Sequence, residues 1–428
     1  MPVVRPFRAW RYAPQTGELA DLLVPPYDII SPASQDAFYT RHPHNLVRLE
    51  LGREMADDDA HTNRYTRAAA TLADWQARGI VRRDPRPAYY VYQQSFLLPG
   101  TSRTLTRTGL LGSLRLAPWG DGILPHERTF PGAKADRLAL LEKTRLETGP
   151  IFTFCRDVAR TVQPALLAAT APPPQAAFDD DDGVQHRLWC VDDPAQLAHL
   201  HESLAGETLY VADGHHRYET ALNYQRQLGG GGGHEPWDYV LAYVAAQDDP
   251  GLRILAAHRC LHDVPGLTAD GALTALHSNF VSEPVADVQT LQQRLAQAAP
   301  GAGWFGVLFP DRAGWLMQPR PSLSLASDIA ASLADLDVIK LQQWVLQPLL
   351  SDVTADLADK RFIAYEPNVA RAVESLTAGA YQAALLLNPT TLAQLCAVAD
   401  AGAVMPQKAT YFYPKLISGI VMHDVSSF

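Results

Sequence analysis

Leu209-Tyr-Val-Ala-Asp-Gly-His-His-Arg-Tyr-Glu-Thr-Ala-Leu-Asn-Tyr224 sets a short apolar run against an acid, a glycine, two histidines and an arginine. Residues 209–212 read as a brief buried strand, and 218–224 as the start of a helix with Ala221 and Leu222 inward. The polar cluster falls at the turn between them, where the first helical N–H groups lack partners and the helix dipole favours negative charge. Gly214 lets the backbone approach a ligand, and Arg217 brings a fork of donors suited to phosphate or carboxylate. The turn therefore predicts an anion site made of Asp213, Gly214, His215, His216 and a surface-facing Arg217. The plainer alternative is a helix N-capped by Asp213 with two surface histidines. A cap alone, however, has no use for His215, His216 and Arg217.

Outward from this turn, strand and helix signals alternate. Tyr65, Ala69, Leu72 and Trp75 recur at helical spacing over 63–78, with Gly79 ending the run; 89–96 and 108–116 read as strands. Pro172–Pro174 and the acidic run 179–182 mark a loop or linker, and the glycines at 229–233 a disordered surface loop. Residues 304–309 and 314–317 read as paired strands, and 337–349 and 392–401 as helices. The chain is thus α+β (mixed α/β), divided at 1–104, 105–265 and 266–428. With 428 residues, 47% of them apolar, it has ample material for real cores. A net charge of −10 without a basic block argues against a duplex nucleic-acid surface. No stretch reaches the ~18 apolar residues of a membrane span, and no secretory leader is visible, so a cytoplasmic protein is expected. Cys155, Cys190, Cys260 and Cys396 are scattered and read as reduced thiols.

Two more clusters carry possible chemistry. Leu124-Pro-His-Glu-Arg-Thr129 follows a strand and precedes a helix. There Glu127 is a candidate general base, and Arg128, Lys134 and Arg137 are candidate phosphate partners; a solvated polar loop is the alternative. Met405-Pro-Gln-Lys-Ala-Thr-Tyr-Phe-Tyr-Pro-Lys415 offers Lys408, Thr410 and Lys415 amid aromatics, and by itself reads as a docked tail. His258-Arg259 either holds a substrate carboxylate or is a strand-end surface pair. Asn45, Arg48 and Glu50 either reach a shared cleft or cap a helix.

These motifs, in this order, carry a resemblance. Val24-Pro-Pro-Tyr-Asp28, His42-Pro-His-Asn-Leu-Val-Arg48, Pro125-His-Glu-Arg-Thr129, Ala135-Asp-Arg-Leu138, 212–221 and 405–415 together resemble a bacterial and archaeal family, the domain of unknown function numbered one thousand and fifteen. Ala409 departs from that pattern, in which a serine is expected. More distantly, Pro125-His126-Glu127 and Asp213–Arg217 are similar to motifs of the free L-serine kinases of the ParB/sulfiredoxin-like superfamily, and 406–410 is loosely similar to a third.

The resemblance implies a ParB/sulfiredoxin-like core with additional N-terminal and C-terminal α/β regions. It also implies a phosphotransferase acting on free serine, with pyrophosphate or a nucleotide as donor and Mg²⁺ assisting. Catalytic roles would fall to Glu127, as base, with His126 and Asp213. Phosphate would fall to Gly214, His215, His216, Arg217, Arg128, Lys408, Thr410 and Lys415. A ParB-like nucleotide-binding regulatory module and a non-catalytic anion-binding protein are the other classes in view; the first wants a basic helix-turn-helix, which the acidic balance does not favour. If the site is composite, residues 405–415 close over 124–137 and 211–218, bringing the Lys408 amine to Asp213 or His216.

Overall fold

The computed structural model describes residues 2–129, 131–310, 312–354 and 361–428. Two sheets organise them. The larger has its strands in the order Ile123–Leu124, Leu209–Asp213, Ile151–Cys155, Tyr239–Ala246, Thr104–Arg115, Tyr89–Leu97, Gln185–Val191 and Ala176–Asp179, with Val4–Arg5 added alongside Thr104–Arg115. The smaller runs Phe280–Val285, Arg312–Pro319, Phe305–Phe309, Ala383–Leu387, His258–Leu261 and Ile363–Glu366. Mixed pairing and interspersed helices make the fold mixed α/β, as expected.

Period-2 alternation explains how the large sheet is covered on both faces. Along Tyr239–Ala246, all eight residues are buried. Leu241, Tyr243 and Ala245 face a core shared with the N-terminal segment, the smaller sheet and the C-terminal segment. Val240, Ala242, Val244 and Ala246 face the opposite core, into which the helix His215–Gln227 sends Tyr218, Ala221 and Leu222. The helix Arg64–Ala77 begins at an Asn63 capping box and buries Ala68, Leu72 and Trp75.

Several local expectations need revision. The 172–182 stretch contains the edge strand Ala176–Asp179, paired with Gln185–Val191. The glycine run is an ordered turn rather than a disordered loop. It wraps the buried Asp238 carboxylate, which accepts from the N–H groups of Gly231 (2.5 Å), Gly233 (2.8 Å) and His234 (3.1 Å). The division at 104/105 falls inside the hairpin formed by Tyr89–Leu97 and Thr104–Arg115.

Candidate active site

The strand Leu209–Asp213 pairs with Ile151–Cys155 until its register shifts between Val211 and Asp213, a bulge at its C-terminal end. Gly214 follows with φ 90°, in the left-handed region, and is the N-cap of the helix His215–Gln227 without any side-chain cap bond. A Cβ there would sit 3.1 Å from the Arg217 guanidinium. Asp213 is therefore not the cap. Its carboxylate accepts from Lys415 Nζ (2.9 Å) and Arg217 Nη2 (3.0 Å). Burial works to raise this acid, but Lys415 and Arg217 outweigh it and hold it well below the usual carboxylate range.

Arg217 does not face the surface. Its side chain is 15% exposed, and besides Asp213 it donates to the Pro150 carbonyl. Two of the expected phosphate-binding cations, Arg217 and Lys415, are thus already spent on Asp213. The Lys415 ammonium also lies 4.6 Å from the Tyr411 ring centroid, and the negative charge of Asp28 bears on it.

His126 and His215 form the joint between the two upstream motifs. His126 is fully buried: Nδ1 donates to the Val211 carbonyl (2.7 Å), and Nε2 accepts from the Thr410 hydroxyl (2.9 Å). A carbonyl can only accept, which sets the tautomer. The His126 N–H donates to His215 Nε2 (3.2 Å), and the rings meet edge to face at 4.6 Å. Burial lowers His126 to about 4, and it also drives His215 well down, so both rings are neutral at physiological pH. Both His126 nitrogens are occupied within the protein, which fits a positioning part better than proton transfer. Thr410, buried, likewise spends its hydroxyl on His126. His216 is half-buried, drawn down by burial against the opposing charges of Glu219 and Asp28.

Glu127 pairs through its backbone with Met405, whose N–H donates to the His126 carbonyl at 2.8 Å. This lays the C-terminal segment alongside the Pro-His-Glu turn. Burial, the largest influence, pushes the Glu127 carboxyl up to about 7; Lys408 pulls against it through its charge and its backbone N–H, Asp213 adds to the rise, and Lys415 opposes it. The expected proximity of Lys408 to Asp213 is exchanged: Lys415 reaches Asp213, and Lys408 serves Glu127. Lys408 itself sits at φ 56°, and its ammonium makes no hydrogen bond among the described residues. Arg128 is exposed beside Glu127 in sequence, with Gln407 Nε2 bonded to its carbonyl (3.3 Å). Lys134 is not available to an anion, since it binds Glu219 (2.6 Å) and Thr129. Arg137, stacked 4.0 Å from the Tyr27 ring centroid, donates to Asp136 and the Glu50 carbonyl.

The N-terminal residues mostly support this frame. Asn45 is fully buried and bonds the Val47 N–H and the Asp21 carbonyl; Arg48 donates to the His42 and Tyr39 carbonyls. Buried Glu50 accepts from the Thr148 hydroxyl. His258 and Arg259 are buried in the smaller sheet and make no surface pair. Arg259 donates to the carbonyls of Ala257 and Lys408 (the latter at 3.2 Å), and His258 Nδ1 accepts from the Leu387 N–H at 3.4 Å. Asp28 escapes the sequence reading as a site residue, although Val24–Asp28 stands out there as a motif. Among the described residues no three His, Cys, Asp or Glu side chains gather as a metal cage, so the residues do not fit a resident Mg²⁺ held by protein alone. A Mg²⁺ carried on a polyphosphate needs only one or two carboxylates.

No curated protein matches the chain. Among solved structures it is similar to a free serine kinase in complex with AMP, at 9% identity and TM-score 0.38, over 72% of this chain and 89% of that one. It is also similar to a conserved hypothetical protein from Pyrococcus furiosus (12% identity, TM-score 0.36, 72% and 92% covered). A C-terminally truncated SbnI from Staphylococcus aureus is a third (12%, 0.35, 73% and 87%). Among the described residues no helix is long and apolar enough to cross a membrane. The family described as a protein of unknown function, DUF1015, matches residues 4–339, well over half of the sequence, and the chain belongs to that family.

Proposed function

We propose that this protein is a small-molecule phosphotransferase that phosphorylates the hydroxyl of free L-serine, with pyrophosphate or a nucleotide as donor. One observation carries the reading: Glu127, a carboxyl poised at about 7, lies where the segments 124–129, 211–217 and 405–415 are stitched together. A general base works best with a pKa near the operating pH. Glu127 takes the proton of the acceptor hydroxyl as its oxygen bonds the terminal phosphorus and the bond to the leaving phosphate breaks. Phosphoryl transfer asks mainly for alignment and for charge on the transferring oxygens to be neutralised. The neutralisation falls to the exposed Arg128 and to Lys408, whose charge bears on Glu127 at the same turn. The positive end of the helix His215–Gln227 adds to it. Asp213 keeps Lys415 and Arg217 ordered behind them. A Mg²⁺ carried on the donor's phosphates would supply further charge neutralisation. The motif resemblance of 125–127 and 213–217 to free L-serine kinases supports serine as acceptor.

The test is direct. The protein is incubated with L-serine, Mg²⁺ and, separately, pyrophosphate, ADP and ATP, and O-phosphoserine is sought by ³¹P NMR. Product with one donor is expected. No product with any of them overturns the assignment, and nucleotide binding without transfer favours the regulatory-module reading instead.

A further inference from the structure

Burying a guanidinium without a carboxylate beside it is expensive, so such a group survives where its hydrogen bonds matter. Arg259 is one. It is 4% exposed, no acid pairs with it among the described residues, and it lies 5.2 Å from the Tyr365 ring centroid. It is on the strand His258–Leu261 of the smaller sheet, yet its Nη2 reaches across to the Lys408 carbonyl at 3.2 Å. The Lys408 carbonyl is thereby tied to Arg259, while the residue's charge and backbone N–H bear on the Glu127 carboxyl. Between them the backbone takes a left-handed φ of 56°, which a residue with a Cβ adopts only when its surroundings impose it.

We propose that Arg259 is a positioning residue that fixes the Lys408 turn so that its amide and ammonium face Glu127. The inference rests on the reading of Glu127 as the site's base, but its geometry is independent of which reaction follows. Three charged groups bear on Glu127: Lys408 and Lys415 favour the carboxylate, and Asp213 opposes it. Arg259 acts on the first. Lys415 is held by other means, since Arg107 and Gln94 of the larger sheet bond the backbone at Pro414 (2.7 Å) and Lys415 (2.9 Å). Loss of Arg259 therefore releases one of the two cations from Glu127 and leaves the other in place.

The experiment follows the Glu127 carboxyl by ¹³C NMR titration of the full-length protein, with E127Q identifying the signal, in wild type, R259M and R259K. In R259M the midpoint should rise by about one pH unit, as the carboxylate loses a hydrogen bond and a nearby cation. R259K, which keeps one donor, should fall between. A merely structural arginine would lower the melting temperature and leave the midpoint of the folded protein where it was. Midpoints within a few tenths of a unit in both folded variants overturn the proposal. If R259M does not fold, R259K decides alone: a raised midpoint supports the role, and an unmoved one overturns it. The titration needs no turnover, so a protein that makes no O-phosphoserine can still pass it, and the failure of the kinase reading stays distinct.

Discussion

Replacing Glu127 by glutamine keeps the shape of the side chain and removes its charge, and two independent quantities should respond. The first is turnover. Loss of a positioned general base costs about two to four orders of magnitude, and donor binding should change little. In wild type, the fraction of ionised Glu127 should fall about tenfold per pH unit below 7, so the acid limb of the rate profile should bend near that pH. The second is stability. The folded carboxyl stands at about 7 against an ordinary 4.5. A raised carboxyl contributes stability that is complete below pH 4.5 and is lost as the pH climbs through 7. At 1.36 kcal/mol per unit the difference approaches ~3 kcal/mol, and partial exposure of the residue reduces it to about 1–2 kcal/mol. E127Q should accordingly be more stable than wild type at pH 8 by about that amount and equal to it at pH 4. Urea midpoints at the two pH values, with O-phosphoserine formation, measure both effects. Wild-type turnover in E127Q removes Glu127 from the mechanism. A stability difference that does not vary with pH shows that burial does not raise this carboxyl.

Arg217→Ala should destabilise the protein by about 2 kcal/mol, because it strips the Pro150 carbonyl and the buried side of Asp213 of a charged donor; calorimetric melting checks it, and an unchanged transition refutes the account. Lys408→Ala should weaken donor binding about ten- to a hundredfold, the worth of one charge-assisted contact, as read by titration calorimetry with pyrophosphate. Thr410→Val is nearly isosteric but leaves His126 Nε2 without its donor in a buried site, which should cost about 1–3 kcal/mol in urea unfolding. Gly214→Ala should lower the urea midpoint as well, since it strains a left-handed cap and crowds Arg217.

Where local pattern alone decides, the sequence is readable. The helix at 64–77 has its Asn63 cap and its Leu72/Trp75 stripe, and the strands at 89–97 and 104–115 carry enough alternation to be seen. The three segments of the site are also visible, as motifs. What stays hidden are pairings over long separations. Asp213 reads as a cap because a strand-to-helix acid usually is one; nothing nearby in sequence announces Lys415, which takes the carboxylate instead. Arg217 reads as exposed for the same reason, as its partner Pro150 lies in another strand's approach. Asp238, which orders the glycine run, sits beyond it and looks like any loop acid. Arg107 falls just outside a strand drawn at 108–116, so its burial goes unsuspected. His258-Arg259 stands out in the sequence as a substrate clasp or a surface pair; the structure buries both residues, and Arg259 bonds the Lys408 carbonyl, a partner that nothing nearby in sequence announces.

The stitching of residues 405–415 into the site also has a kinetic meaning. The bonds that build it span 284 residues from His126 to Thr410, 202 from Asp213 to Lys415 and 321 from Gln94 to Lys415. Closing such distances is slow, and during synthesis the far partner does not yet exist. The large sheet has all its strands by residue 246, long before its lysines arrive. A ribosome-bound chain at that stage carries a carboxylate at 213 and a glutamate at 127 without the lysines that serve them. Assembly of this cluster thus waits until residues 405–415 have been made, well after the strands of the large sheet.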